Sequence, residues 1–344
     1  MSPSLFQCRP KNSDRRRCSE RGRRVRDWIV TRCLLLAFIG FITTTQMGCQ
    51  IFRKFGGSSE PIPVAFDRLP TQQQLLSQIQ SKAESVGQLA SNVSVTIPGT
   101  PKIKGTLQVE FPNRMRMKAG LLGVSEMGVD VGSNEEHFWI WSRASTPGQP
   151  PAFYFANHVS FKQSKARRSV PLDPKWVIEG LGLVRFNPTD VHYGPVMDQG
   201  GRMKLFTVEQ TSNGPQTRVT LLAARTGVIE QQAMYDSSNQ LIAYMNSSEY
   251  ASFMHNGRPI GLPQRIELHM IQPSGQDTKM VINLSSISLE PLYGNASRMW
   301  AMPNPEGVRK IDLSQQWTSD IRTGFPANSS TPQGPQASGA RYQR

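Results

Sequence analysis

Cysteine is scarce in this sequence and confined to one end. All four (Cys8, Cys18, Cys33, Cys49) fall within the first 49 of 344 residues. The rest of the chain therefore excludes disulfides, Cys-ligated zinc and thiol nucleophiles. Catalytic signatures are missing too: there is no Gly-x-Ser-x-Gly and no His-Glu-x-x-His. The five histidines (His137, His158, His192, His255, His269) are far apart, and carboxylates are too scattered to nominate an acid/base pair. Glycine-rich turns lack phosphate-loop spacing. These absences argue against an enzyme and against a cofactor or metal site, and leave a hydrolase as the weakest reading. Acidic residues are few, 25 against 39 Lys and Arg, for a net charge of +14. Such a balance raises nucleic acid as a partner. Residues 1–48, however, hold ten of the basic residues and only three acids, which is half of that charge. Without this leader the remaining +7 is diluted over 296 residues, and the nucleic-acid reading falls away.

The leader is organised as an export signal. A basic stretch ends at Arg32, an apolar run Cys33–Ile42 follows, and Met47-Gly48-Cys49 closes it. Basic, apolar and small-residue regions in that order describe a secretory signal. A cysteine directly after Gly48 resembles the lipobox of bacterial lipoproteins, although Gln46 stands where Leu is usual. That resemblance implies cleavage before Cys49 and lipid attachment to it. The competing reading is an uncleaved anchor over about Trp28–Met47, although its apolar run is short of the ~20 residues a bilayer needs. Both place the bulk outside the cytoplasm. Gln50, in place of an inner-membrane retention Asp, favours an outer-membrane lipoprotein facing the periplasm.

The remainder divides into a tether over 49–67, one folded domain over 68–313 and a tail over 314–344 rich in Pro, Gly, Ser and Gln. Thr71 and Gln74 fit a capping box, and Leu75, Leu76, Ile79, Ala83, Val86 and Ala90 share one face of a helix over Thr71–Ala90. A short second helix is expected over Pro174–Leu183, with Asp173 as its cap. Nearly everything else alternates as strands between turn signals, including Ala152–Phe161. The expected fold is mainly β (α+β): a strongly curved antiparallel sheet, or half-open β-barrel, of about a dozen strands. An N-terminal amphipathic helix and the short helix lie on its concave side. Such a sheet either fills its interior or encloses an apolar cavity.

Four stretches in order are similar to the LolA/LolB family of bacterial lipoprotein-sorting proteins. They are Thr71–Ala90 leading into Val93–Ile97, Gly105–Arg116, Ser133–Trp141, and Trp300–Val308 with its Pro-x-x-Gly-Val close. The resemblance implies a half-open barrel lidded by helices, with an apolar interior for acyl chains. Cys49 looks like the arrangement of the family's receptor, itself a lipoprotein. The pattern Arg114-Met-Arg116, Leu122-Gly123, Glu126 is also similar to the receptor's, and it implies a membrane-inserting loop at Leu122, with Leu121 beside it. Phe111 stands where the carrier has a basic residue, so that cargo-gripping role does not transfer.

The residues themselves leave blander alternatives open. Leu121 and Leu122 make an apolar tip that either dips into lipid or packs as a strand end. Phe138, Trp139, Ile140 and Trp141 alternate, so one pair faces inward as core or cavity wall, as Trp176 does. Lys162, Lys165, Arg167 and Arg168 form the densest basic run after the leader, either a solvated loop or contacts to anionic headgroups. Arg114 and Arg116 share a strand face, where one can pair with Glu126 or Asp130 in place of a headgroup. The leading expectation is a membrane-anchored protein binding acyl chains of lipids or lipoproteins. The rival is a structural or interaction lipoprotein with a filled barrel and no lipid cargo.

Overall fold

The computed structural model describes residues 61–315, apart from 122–123, 143–151, 165–173, 212–213, 272–274 and 276, and gives only the backbone of 124–127, 142 and 296. The leader, Cys49, the tether up to residue 60, and residues 316–344 lie outside the described residues. So do Leu122, Lys165, Arg167, Arg168 and Asp173.

Fourteen described strands form a single sheet. They are β1 Gln88–Thr96, β2 Ile103–Glu110, β3 Arg114–Leu121, β4 Val124–Ser133, β5 His137–Ser142, β6 Ala152–Asn157, β7 Val191–Met197, β8 Arg202–Thr211, β9 Gly214–Ala223, β10 Ile229–Tyr235, β11 Leu241–His255, β12 Arg258–Ile271, β13 Asp277–Ser288 and β14 Arg309–Asp312. Four helices accompany them: α1 Gln72–Val86, α2 His158–Gln163, α3 Lys175–Gly180 and α4 Ala296–Met299. The strand order is β14-β6-β5-β4-β3-β2-β1-β13-β12-β11-β10-β9-β8-β7. The sheet is thus curved and unclosed, as expected, with β14 and β7 at its edges. It is not wholly antiparallel, because β14 pairs with β6 in parallel.

Several boundaries differ from the sequence expectation for local reasons. The capping box at Thr71 forms: Gln74 N–H donates to Thr71 Oγ1 (3.3 Å) and Thr71 N–H to Gln74 Oε1 (2.9 Å). The helix stops at Val86 rather than Ala90, because Gly87 turns at φ 58° and Gln88 begins pairing with Glu110. The strand expected to reach Phe161 ends at Asn157. Its side chain accepts from Val159 N–H and Ser160 N–H and turns the chain into α2. Strand β7 is interrupted by a register shift between Tyr193 and Val196, at Gly194-Pro195, which hides its alternation.

Helices α1 and α3 pack on the concave face. Ala83 and Val86 of α1 join Trp176, Val177 and Ile178 of α3, and Leu181 just after it, in one apolar cluster with Leu107, Met115, Met245, Ile266 and Ile282 of the sheet. Leu75 and Ile79 of α1 cover Met203, Leu205, Leu222 and Ile229. The registers also sort the strand ends into two rims. One rim carries the starts of β1, β8, β10 and β12 and the ends of β2, β7, β9, β11 and β13. The chain enters at this rim, where Ala65 and Phe66 N–H donate to Arg225 O. The end of β3 and the start of β4 lie at the opposite rim, as do the end of β10 and the start of β11.

Candidate functional site

A six-residue helix, α3, occupies the concave face. It sits so close that a Cβ added to Gly180 would fall 2.8 Å from Met245 Sδ and 2.9 Å from Ile266 Cγ2. Ser247 Oγ donates to Gly180 O (2.7 Å), and Gln232 Nε2 donates to Glu179 O (3.3 Å). The sheet therefore holds the helix by its backbone as well as by its apolar side chains.

One charged side chain of α3 is buried with it. Glu179 is 2 % exposed and accepts from Arg218 Nη1 of β9 (2.8 Å). Arg218 Nη2 reaches Glu209 of β8 (2.6 Å), and Lys175 Nζ lies 3.6 Å from Glu179 Oε1. Burial alone would disfavour the guanidinium charge. Glu179 and Glu209 more than offset it, so Arg218 is held above its ordinary value.

Beside this latch lies a cleft of about 230 Å³, lined in part by Asn113, His158, Lys162, Lys175 and Arg185. Two smaller spaces of about 40 and 10 Å³ both adjoin Arg218, the larger also lined by Trp176 and Glu179. Small-molecule sites usually need roughly 300–1,000 Å³. In this structure α3 fills the concave face.

The residues singled out from the sequence separate onto different surfaces. Phe138 and Ile140 pair with Ser133 and Val131 and share the concave face with Met115 and Met117. Phe138 packs edge-on against Phe161 of α2, with ring centres 4.9 Å apart. Trp139 and Trp141 pair with Gly132 and Asp130 on the opposite face. Trp139 is fully buried there, donating Nε1–H to Asp130 Oδ1 (3.2 Å) beneath the Arg116 guanidinium, 5.7 Å from its ring centre. Arg116 forms a bidentate pair with Asp130 (2.8 and 3.1 Å) and donates to Met299 O (2.8 Å). Arg114 pairs with Glu110 (3.1 Å) and with Glu135. Lys162 is exposed on α2 at the cleft, Trp176 is buried as part of α3, and Leu121 is half-buried at the end of β3.

Sequence reasoning missed the Glu179–Arg218–Glu209 latch. Its one local signal is a lone carboxylate, Glu179, directly after the apolar run Trp176–Ile178. Among the described residues, no three His, Cys, Asp or Glu are grouped to hold a metal, and no helix is long and apolar enough to cross a membrane.

No family model and no curated protein matches this chain. Solved structures with a similar fold include a LolA superfamily protein from Nitrosomonas europaea, 12% identical, covering 66% of this chain and 97% of that one at a TM-score of 0.41. A DUF1329 family protein from Desulfovibrio piger is 12% identical, covering 64% and 94% at a TM-score of 0.40. A putative outer membrane lipoprotein-sorting protein domain from Vibrio parahaemolyticus is 10% identical, covering 62% and 90% at a TM-score of 0.42. The likeness, at low sequence identity, is to a LolA superfamily protein and to a putative outer membrane lipoprotein-sorting protein domain.

Proposed function

We propose that this chain is a lipid-anchored protein of the bacterial envelope, whose concave face takes the acyl chains of a lipid or lipoprotein when α3 withdraws. One observation carries the reading: the middle of the apolar concave face of an unclosed sheet is covered by a helix of six residues. Such a helix is too short to be stable by itself and depends on its seat. An acyl chain offers the sheet the same kind of contact, at about 0.8 kcal/mol per CH₂ removed from water. Lipid on Cys49 would hold the domain at the membrane. No bond is made or broken.

The filled concave face supports a second reading: a structural or interaction lipoprotein whose interior never empties. Purification of the mature chain, mass spectrometry of co-purifying lipid and titration with a fluorescent fatty acid separate the two. The first reading expects bound lipid and saturable uptake. A lipid-free protein that takes up no fatty acid leaves only the second.

A further inference from the structure

The exposed apolar side chains of the described residues are not scattered. Seven of nine (Val64, Leu69, Val159, Val196, Met197, Met254, Tyr293) lie at the rim where the chain enters the sheet. Met254 is next to the β11–β12 turn and is 58% exposed. Tyr293 is 87% exposed and follows Leu292, whose N–H donates to Gln88 Oε1 at the start of β1. Val159, 65% exposed, stands on α2 above the end of β6. Val196 and Met197 end β7. Isolated exposed apolar residues need no explanation, but a collection on one rim marks an interaction surface.

We infer that this rim docks on a lipid surface and that the domain stands on the membrane with its strands pointing away from it. The place where the chain enters selects lipid over other partners. Eleven residues, 50–60, separate Cys49 from the first described residue, Pro61, and Ile62 packs against Gly261 at this rim. At roughly 3.3–3.6 Å per residue, such a segment reaches at most about 40 Å. A membrane attachment in the leader, as Cys49 or as an uncleaved anchor, therefore holds this rim within that distance of a bilayer. Exposed charge at the rim is mixed, with Arg68, Arg225, Arg258 and Arg298 against Asp67, Glu136 and Glu290. Docking is thus driven by apolar contact and is insensitive to salt. Leu121 ends β3 at the opposite rim, a strand of eight residues or about 26 Å away. The inference is independent of whether the concave face takes lipid.

The test uses the full chain carrying Cys8→Ser, Cys18→Ser, Cys33→Ser and Cys49→Ser, with one new cysteine bearing a polarity-sensitive fluorophore. The positions are Met254→Cys and Tyr293→Cys at the docking rim, and Ser238→Cys and Leu121→Cys for the other. Vesicles of phosphatidylcholine and phosphatidylglycerol should raise the emission several-fold at 254 and 293, at low and high salt, and leave 238 and 121 unchanged. Emission that rises at 121 or 238 in place of 254, that rises nowhere, or that high salt abolishes overturns the inference. So does a rise at 254 that needs only higher protein concentration, because a second copy then covers the rim.

Discussion

Arg218 illustrates how a single residue ties a helix to a sheet. Its guanidinium neutralises two carboxylates from different elements, Glu179 of α3 and Glu209 of β8. Removing one partner of a buried ion pair costs about 3–5 kcal/mol, because the remaining charge is left without compensation. Arg218→Met should fall in that range by denaturant unfolding. Glu179→Gln should cost less, since Arg218 keeps Glu209. Equal costs would mean that Arg218 does not bridge the two. Glu267 supplies a pH-dependent counterpart. Lys279 (2.7 Å) and Arg265 (2.8 Å) hold its carboxyl down at about 2, against an ordinary 4.5. A depressed carboxylate stabilises the fold above 4.5, and that contribution is lost as pH falls toward 2. At this partly exposed site it amounts to roughly 1–2 kcal/mol. Glu267→Gln should therefore lower stability at neutral pH and flatten its fall between pH 4.5 and about 2, as measured by thermal melts across that range.

Among the elements, those built from local rules could be read in the sequence. Thr71 and Gln74 announce the start of α1, and its buried stripe of Leu75, Ile79, Ala83 and Val86 follows helical spacing. The C-terminal limit was less legible, since Leu89 and Ala90 continue the apolar stripe while their backbone belongs to the β1–β2 ladder. The short α3 was legible as a helix with Trp176, Val177 and Leu181 turned to a core. Its place at the centre of the concave face was not, because that depends on Gly180 meeting Met245 and Ile266 from distant strands. This contact makes Gly180→Leu a direct test of whether α3 is a removable cover. The added side chain has no room, so α3 should lift from its seat, and hydrogen exchange over 175–181 should rise many-fold. If the concave face takes acyl chains, fatty-acid uptake by this variant should exceed that of the parent chain. Raised exchange without any uptake would leave the face as a packing surface only.

For the molecule as a whole, an unclosed sheet of fourteen strands must protect two edges. At one edge, β7 carries Pro195, which has no N–H to offer, next to its register shift. The other is closed by β14, four residues in parallel with β6 and about 155 residues away in sequence. Nothing local identifies β14 as a strand, since Arg309–Asp312 contains one buried side chain, Ile311. The sheet's curvature and approximate strand number are legible from turn signals, whereas an edge made by a distant segment is not. The packing explains its weight. Ile311 and Leu313 complete a cluster with Phe138, Ala156 and Phe161, and Leu313 N–H continues the ladder to Phe155 O (2.8 Å). Replacing either apolar side chain by Ala should cost about 2–5 kcal/mol. Truncation after Gly307 should go further, because it removes that cluster's cover and exposes the backbone of β6 as a pairing edge. Such a chain should melt lower and self-associate in sedimentation velocity, whereas Ile311→Ala with Leu313→Ala should melt lower but remain monomeric. A truncated chain that stays monomeric would show that β6 is protected by its own residues and that β14 contributes burial alone.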